Sequence, residues 1–146
     1  MARKRIFRSL DRLFNKFAGL KESLPELVVV HNIVMTQTTS TDGTHIYYSK
    51  RFVDTLTDEE LDGLMMHEII HILKDHIYPG KRNLFAWNVA CDFNSNSDVL
   101  SLGMKLPEGV LISDEFNGMD ETQIYRKIYP YSKKALNGII NRKLTS

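Results

Sequence analysis

His67-Glu68-Ile69-Ile70-His71, set inside the run Leu61 to Tyr78, decides how the rest of the chain is read. A helix advances about 100° per residue, so His67 and His71 lie about 40° apart, one turn above another, and can hold one ion between them. Glu68, next to the first histidine, then stands beside the ion but off its ligand face, where a carboxylate can take a proton from an activated water. Thr57-Asp58-Glu59-Glu60 marks the start of the helix: Thr57 is the N-cap, Glu60 its capping-box partner, and the acidic first turn suits the helix dipole. Pro79-Gly80 marks the stop, which predicts a helix over 57–78.

Leu61, Met65, Ile69 and Ile72 fill one side of this helix, and Leu64, Met66, Ile70, Leu73 and Ile77 much of the rest. A helix apolar nearly all round is a buried one. Two histidines and a glutamate in its middle are costly to bury unless something satisfies them, and a metal does so. The plainer alternative is a buried helix whose histidines bond to backbone. Gly63, one turn before His67, weakens the helix and is expected to leave space above the ion.

Downstream, Leu84 to about Ser101 reads as a second helix, mostly apolar or small. Against that background Asn88, Asp92 and Asn96 recur at i, i+4, i+8 as a polar stripe on one face, and a buried polar stripe needs a partner. Zinc takes a third protein ligand, and Asp92 follows His71 at a distance that leaves room for a turn and a helix lying across the first. Asn88 and Asn96 are then placed to orient the carboxylate or the histidines. His76 is the rival third ligand. On a continuous helix it points away from the metal face, and no glycine between Ile72 and His76 turns the chain, so Asp92 is preferred. Cys91 reads as a small buried hydrophobe.

Upstream, the β-branched run Leu27 to Thr38, the turn Asp42-Gly43 and the segment Thr44 to Ser49 predict strands over 27–49 paired as a hairpin, whose free edge can accept an extended peptide. The first 21 residues carry seven Lys/Arg against one Asp, a net of +6 in a chain whose total is +1. Ile6, Phe7, Leu10, Leu13, Phe14 and Phe17 recur there at helical spacing, and Gly19 ends the segment. A basic amphipathic helix of this kind can touch nucleic acid or an anionic membrane surface; packing of its apolar face on a sheet is the preferred reading.

With 146 residues the chain is the size of one domain, and 19 basic against 18 acidic side chains impose no overall electrostatic role. One cysteine excludes an internal disulfide framework and suits a reducing compartment. No apolar run reaches the roughly 20 residues of a membrane span, and the N-terminus has no secretory cleavage pattern, so a cytoplasmic protein is expected. The C-terminal part, 120–144, reads as a short helix opening at Asp120 and ending near Pro130, then a last helix over Ser132 to Leu144.

The order of motifs resembles a known family, the metallopeptidase domain usually found in front of a von Willebrand factor A-like domain. The likeness spans roughly residues 36 to 130. It rests on Thr41-Asp42-Gly43 with Ile46-Tyr47-Tyr48 and Phe52-Val53, the His67 to His71 pentapeptide with His76, and Trp87-Asn88-Val89-Ala90-Cys91-Asp92 with Asn96. Leu106-Pro107-Glu108-Gly109 and Ile124-Tyr125 complete it. The family looks zincin-like, which implies a zinc-dependent peptidase; the von Willebrand-like domain is not expected in this chain, so any recruiting role of it would be missing or supplied by a separate partner protein. The expectation is therefore an α+β, zincin-like single domain over 1–146 with a small, mainly antiparallel sheet. Zn2+ is held by His67, His71 and Asp92, with Glu68 as the base and a polypeptide as substrate. Tyr47, Tyr48 and Tyr125 are candidates to stabilise the oxyanion. The alternative function is a non-catalytic, metal-stabilised module that binds protein or nucleic acid.

Overall fold

Thr57 starts its helix as a capping box: its hydroxyl accepts from the Glu60 amide at 3.1 Å, and the Glu60 carboxylate accepts from the Thr57 amide at 2.9 Å. In this computed structural model, which describes residues 1–129, the helix that follows (Asp58–Leu73) is the axis on which the other elements pack. We number the elements α1 (Ala2–Lys16), β1 (Val28–His31), β2 (Thr39–Thr41), β3 (His45–Tyr48), α2 (Lys50–Val53), α3 (Asp58–Leu73), α4 (Leu84–Ser101) and α5 (Glu121–Ile128). Together they form a small α+β domain with a three-stranded mixed sheet. The last helix expected, over Ser132 to Leu144, lies outside the described residues.

The basic N-terminal helix covers α3 more than it covers the sheet. Ile6, Leu10 and Leu13 are buried against the axis, while Arg5 donates to the carbonyls of Val53 and Leu56 at 2.9 and 2.7 Å and pairs with Asp58 at 3.0 Å. Arg12 grips Asp62 with two N–H groups at 2.9 and 2.7 Å, and Ser9 donates to the same carboxylate at 2.6 Å. The acidic first turns of α3 thus draw on the cationic face of α1, which ends at Lys16, short of Gly19.

The sheet corrects the expected hairpin. Its order is β1-β3-β2: β1 runs parallel to β3, with Val28 opposite His45, and β2 runs antiparallel to it, with Thr39 opposite Tyr48. The apolar run from Leu27 does not continue as one strand because Asn32 breaks it. The Asn32 side-chain carbonyl accepts from the amides of Val34 and Met35 at 3.0 and 3.1 Å, curling the chain and leaving Ile33, Val34 and Met35 exposed. The chain then crosses to the far edge, lays down the short β2 and turns through Asp42-Gly43, where Gly43 takes a φ of 104°, into β3.

The end of α3 is the second correction. The helix stops at Leu73, not near Tyr78. The Asp75 amide donates to the Ile72 carbonyl at 3.2 Å and the His76 amide to the His71 carbonyl at 2.9 Å, the bond pattern of a Schellman turn. Asp75 takes the left-handed position (φ 55°) that glycine commonly fills, as Asp tolerates better than most residues. Gly63 is the third correction: a Cβ there would stand 1.6 Å from the carbonyl oxygen of Lys105, so the glycine admits a neighbouring backbone and leaves no space above the histidines.

Asn83 caps α4 by accepting from the Ala86 amide at 3.0 Å, and Asp120 with Gln123 closes a capping box on α5. One apolar cluster joins α1, the sheet and α3; a second joins α4 and α5 through Ala86, Val89, Ala90 and Phe93 packed on Ile124 and Ile128. Among the described residues no helix is long and apolar enough to cross a membrane.

Candidate metal centre

α3 and α4 meet where His67, His71 and Asp92 converge, each offering one ligand atom, and these atoms lie within 4.8 Å of one another. The two Nε2 atoms are 2.9 Å apart, and Asp92 Oδ1 is 3.4 Å from His67 Nε2 and 3.0 Å from His71 Nε2. Helical spacing stacks the histidines, and the Ser95 hydroxyl, donating to the His67 carbonyl at 2.8 Å, ties α4 to α3 beside them. Both histidines are buried while Asp92 is half-buried, so the group opens on its Asp92 side. Glu68, 2 % exposed, brings Oε1 to 3.6 Å from His67 Nε2 and accepts from the Thr39 hydroxyl of β2 at 3.4 Å.

These charges pull on one another. Burial acts to lower the pKa of His67, but the hydrogen bond to Asp92 and the charge of Glu68 outweigh it, and the net shift is upward. Burial acts to raise Asp92, yet its bonds to His67 and His71 hold it well below the usual carboxylate range. Glu68 moves the other way: burial, only partly offset by the two histidines, pushes its carboxyl up.

The donor set fits a metal ion. Asn96 donates through Nδ2 to the Leu111 carbonyl at 2.8 Å, so its Oδ1 faces His67 Nδ1, 2.6 Å away, and accepts the proton there. In the neutral ring His67 Nε2 then carries the lone pair, aimed at a second imidazole nitrogen and a carboxylate oxygen. Three Lewis bases converging in a buried place can hold a cation between them, and an N, N, O set is one that zinc accepts. Oε2 of Glu68, buried with no hydrogen-bond partner among the described residues, is the further polar atom such a centre would engage.

His76 stands outside this group. The turn at Asp75 brings it back toward the site, contrary to its expected direction, with its Nδ1 2.9 Å from the Nδ1 of His71. Its carbonyl accepts from Trp87 Nε1 at 3.0 Å, and burial, together with the charges of His71 and Lys74, pushes its pKa down to about 3. Asn96 orients a histidine as expected. Asn88 does not: it is exposed, one turn before Asp92 on α4, and lines the cleft. Cys91 is buried, and burial pushes its thiol up.

A cleft of about 610 Å³ opens over the group, walled by residues 38–42 of the β2 edge, by α3 and α4, and by 108–111. None of the tyrosines proposed as oxyanion donors lines it. Tyr47 donates to Asp42 Oδ2 at 2.8 Å, Tyr48 is buried in the core, and the Tyr125 hydroxyl accepts from the Asn83 amide at 2.9 Å. Sequence reasoning passed over Thr39 and Ser95, which carry no periodic signal, and the inward return of His76. A polar residue in a short edge strand beside the metal helix is the one clue that marked Thr39.

A small α+β domain with a His-His-Asp centre between two helices, a buried glutamate beside it and an open cleft above it has the build of a metal-dependent hydrolase. Residues 16–141 match the family described as "putative metallopeptidase domain". The chain belongs to that family. No curated protein and no solved structure matches it.

Proposed function

We propose that this chain is a zincin-like, zinc-dependent peptidase, with His67, His71 and Asp92 as the ligands and Glu68 as the general base. The observation that carries this reading is Glu68: a buried carboxylate with one oxygen unpartnered among the described residues, set against the convergent N, N, O group. Zinc held there supplies Lewis acidity, acidifying a water and polarising a carbonyl. An extended peptide lies in the cleft as an added strand on the free edge of β2, its scissile amide over the histidines. Glu68 takes the proton of the attacking water as the oxygen adds to the amide carbon. It then delivers that proton to the amine as the C–N bond breaks. A carboxyl whose pKa burial has raised is better matched to both transfers than an ordinary one. The exposed amide of Asn88, one helical turn from Asp92, donates to the carbonyl oxygen as charge grows on it, the role the tyrosines are not placed to fill.

Glu68→Gln tests this. It keeps size and removes the base, so the variant should retain about one zinc per chain and lose nearly all cleavage of a broad peptide library. His67→Ala, His71→Ala and Asp92→Ala should lose the zinc. Equal cleavage by wild type and Glu68→Gln would remove Glu68 as the base. Zinc retention with no cleavage by either protein would support the metal-stabilised binding module. The nucleic-acid version of that module has less to stand on, because Arg5 and Arg12 are engaged with α3.

A further inference from the structure

The cleft over the metal centre carries fixed charge of one sign. Asp42, Glu68, Asp92 and Glu108 line it, and among the described residues no lysine or arginine does so. Composition does not impose this, because the chain has 19 basic against 18 acidic side chains. Asp92 and Glu68 belong to the centre itself, and a dication there would offset both. Asp42 and Glu108 are left to set the charge that a bound peptide meets.

These two stand at opposite ends of the cleft. A Cβ on Gly43 would meet Ile77 Cγ1 at 3.7 Å, so the Asp42-Gly43 turn sits beyond the C-terminal end of α3. Lys105 lies against Gly63, and the Leu111 carbonyl accepts from Asn96 beside His67, so the segment carrying Glu108 follows the N-terminal half of α3. Asp42 is committed to its own turn: Oδ1 accepts from the amides of Thr44 and His45 at 3.0 and 2.8 Å, and Oδ2 from the Tyr47 hydroxyl at 2.8 Å. Glu108 is exposed and lines the cleft, and its carboxylate has no hydrogen-bond or ion-pair partner among the described residues.

We infer that the cleft takes peptides with a lysine or arginine close to the scissile bond, and that Glu108 is the specificity residue that receives it. The inference rests on the peptidase reading of the site and names its substrate class. A peptide added to the free edge of β2 runs along α3, since that strand passes from Thr39, bonded to Glu68, to the turn beside Ile77. Glu108 is three residues from Leu111, at most about 11 Å of extended chain. A bound strand covers that span in about three or four residues, which places the basic residue within about four of the cleaved bond. Leu64 and Val110 line the same stretch, giving the methylene stem of lysine or arginine an apolar bed while its charged head meets the carboxylate. An acidic residue there meets like charge with no lysine or arginine in the lining to answer it.

The test reads binding and cleavage separately. Glu68→Gln, which keeps the cleft and removes the base, is titrated by fluorescence anisotropy with short labelled peptides that differ at one scanned position: arginine, its neutral isostere citrulline, or glutamate. The best arginine peptide should bind about 5–20-fold more tightly than its citrulline counterpart, with glutamate weakest, and the preference should shrink at high salt. Adding Glu108→Gln should bring the arginine-to-citrulline ratio to within about twofold, and adding Glu108→Lys should turn the preference toward glutamate. Circular dichroism verifies folding, which an exposed turn position should not disturb. Equal binding of the three peptides, an arginine preference that survives Glu108→Gln, or no peptide binding at all would overturn the inference. The wild type incubated with the same peptides tests the other reading. A Glu108-dependent arginine preference in binding with no cleavage by the wild type would sink the peptidase and leave the charge selectivity of the cleft standing. Cleavage indifferent to arginine would do the reverse.

Discussion

Gly63→Ala should destabilise this protein, although a glycine in a helix interior is ordinarily improved by alanine by about 1 kcal/mol. The reason lies in what the methyl group would meet. A Cβ at position 63 would stand 1.6 Å from the carbonyl oxygen and 2.8 Å from the carbonyl carbon of Lys105, both backbone atoms, with Val99 Cγ1 at 3.5 Å on the same side. Relief requires opening the gap from 1.6 Å to the 3.4 Å of ordinary contact, by moving either α3 or the chain around Lys105. Neither moves freely. Leu61, Met65 and Ile69 seat α3 in the core, while Met104 and Leu106 flank Lys105 and pack on the same cluster. Overpacking costs about 1–3 kcal/mol, at times more, and a clash this short with backbone atoms belongs at the upper end, so roughly 2 kcal/mol remains after the propensity gain. For a domain of this size each kcal/mol moves the melting point by about 4 °C, so a loss of roughly 8 °C is expected. Thermal and urea unfolding of the variant followed by circular dichroism measures it. A melting point equal to or above that of the wild type would refute the close approach, and with it the claim that Gly63 is there to admit the Lys105 backbone.

Two further outcomes follow from the turn and the cleft. Burial acts to raise Asp42, but the amides of Thr44 and His45 and the Tyr47 hydroxyl hold it well below the usual carboxylate range. A carboxylate depressed by folding contributes stability above its unfolded pKa, near 3.9, which is lost as pH falls through the folded value. Asp42→Ala should therefore cost roughly 1 kcal/mol at pH 7, modest because the group is partly exposed, and the gap from wild type should close below about pH 4. A gap constant from pH 7 to pH 2 contradicts the assignment. Asn88→Ala should leave zinc content and stability intact and lower kcat about 100-fold with little change in KM. A rise confined to KM, seen in initial-rate kinetics on a peptide from the library, would make Asn88 a binding residue only.

What could be read from the residues alone was local chemistry. Thr57 and Glu60 announce the start of α3, the Asn88, Asp92, Asn96 stripe announces α4, and Asp120 announces α5, because capping and helical periodicity act within a turn or two. Strand pairing is set over longer distances, and Ile33-Val34-Met35 looked like strand because β-branched and apolar residues usually are. A single Asn32 side chain overrode that propensity. At the site, the convergence of His67, His71 and Asp92 followed from spacing, whereas the inward path of His76 did not. It depends on Asp75 adopting a conformation that sequence patterns attach to glycine. Gly63 was misjudged for a related reason: its neighbour, Lys105, is 42 residues away along the chain, and no local pattern reports such a contact.

The division of the apolar interior into two clusters has a mechanical consequence. His67 and His71 are rooted in the cluster of α1, the sheet and α3, whereas Asp92 belongs to a helix whose N-terminal half is rooted with α5 in the other. An ion gripped by all three would be a rivet across the seam, beside the contact of Val99, the bonds of Ser95 and Asn96 to His67 and the Lys74 bonds to Asn94 and Asp98. Stripping the metal should then loosen the joint before it melts either half, and the connection from Lys74 to Asn83 that spans the seam becomes the place where a protease first gains purchase.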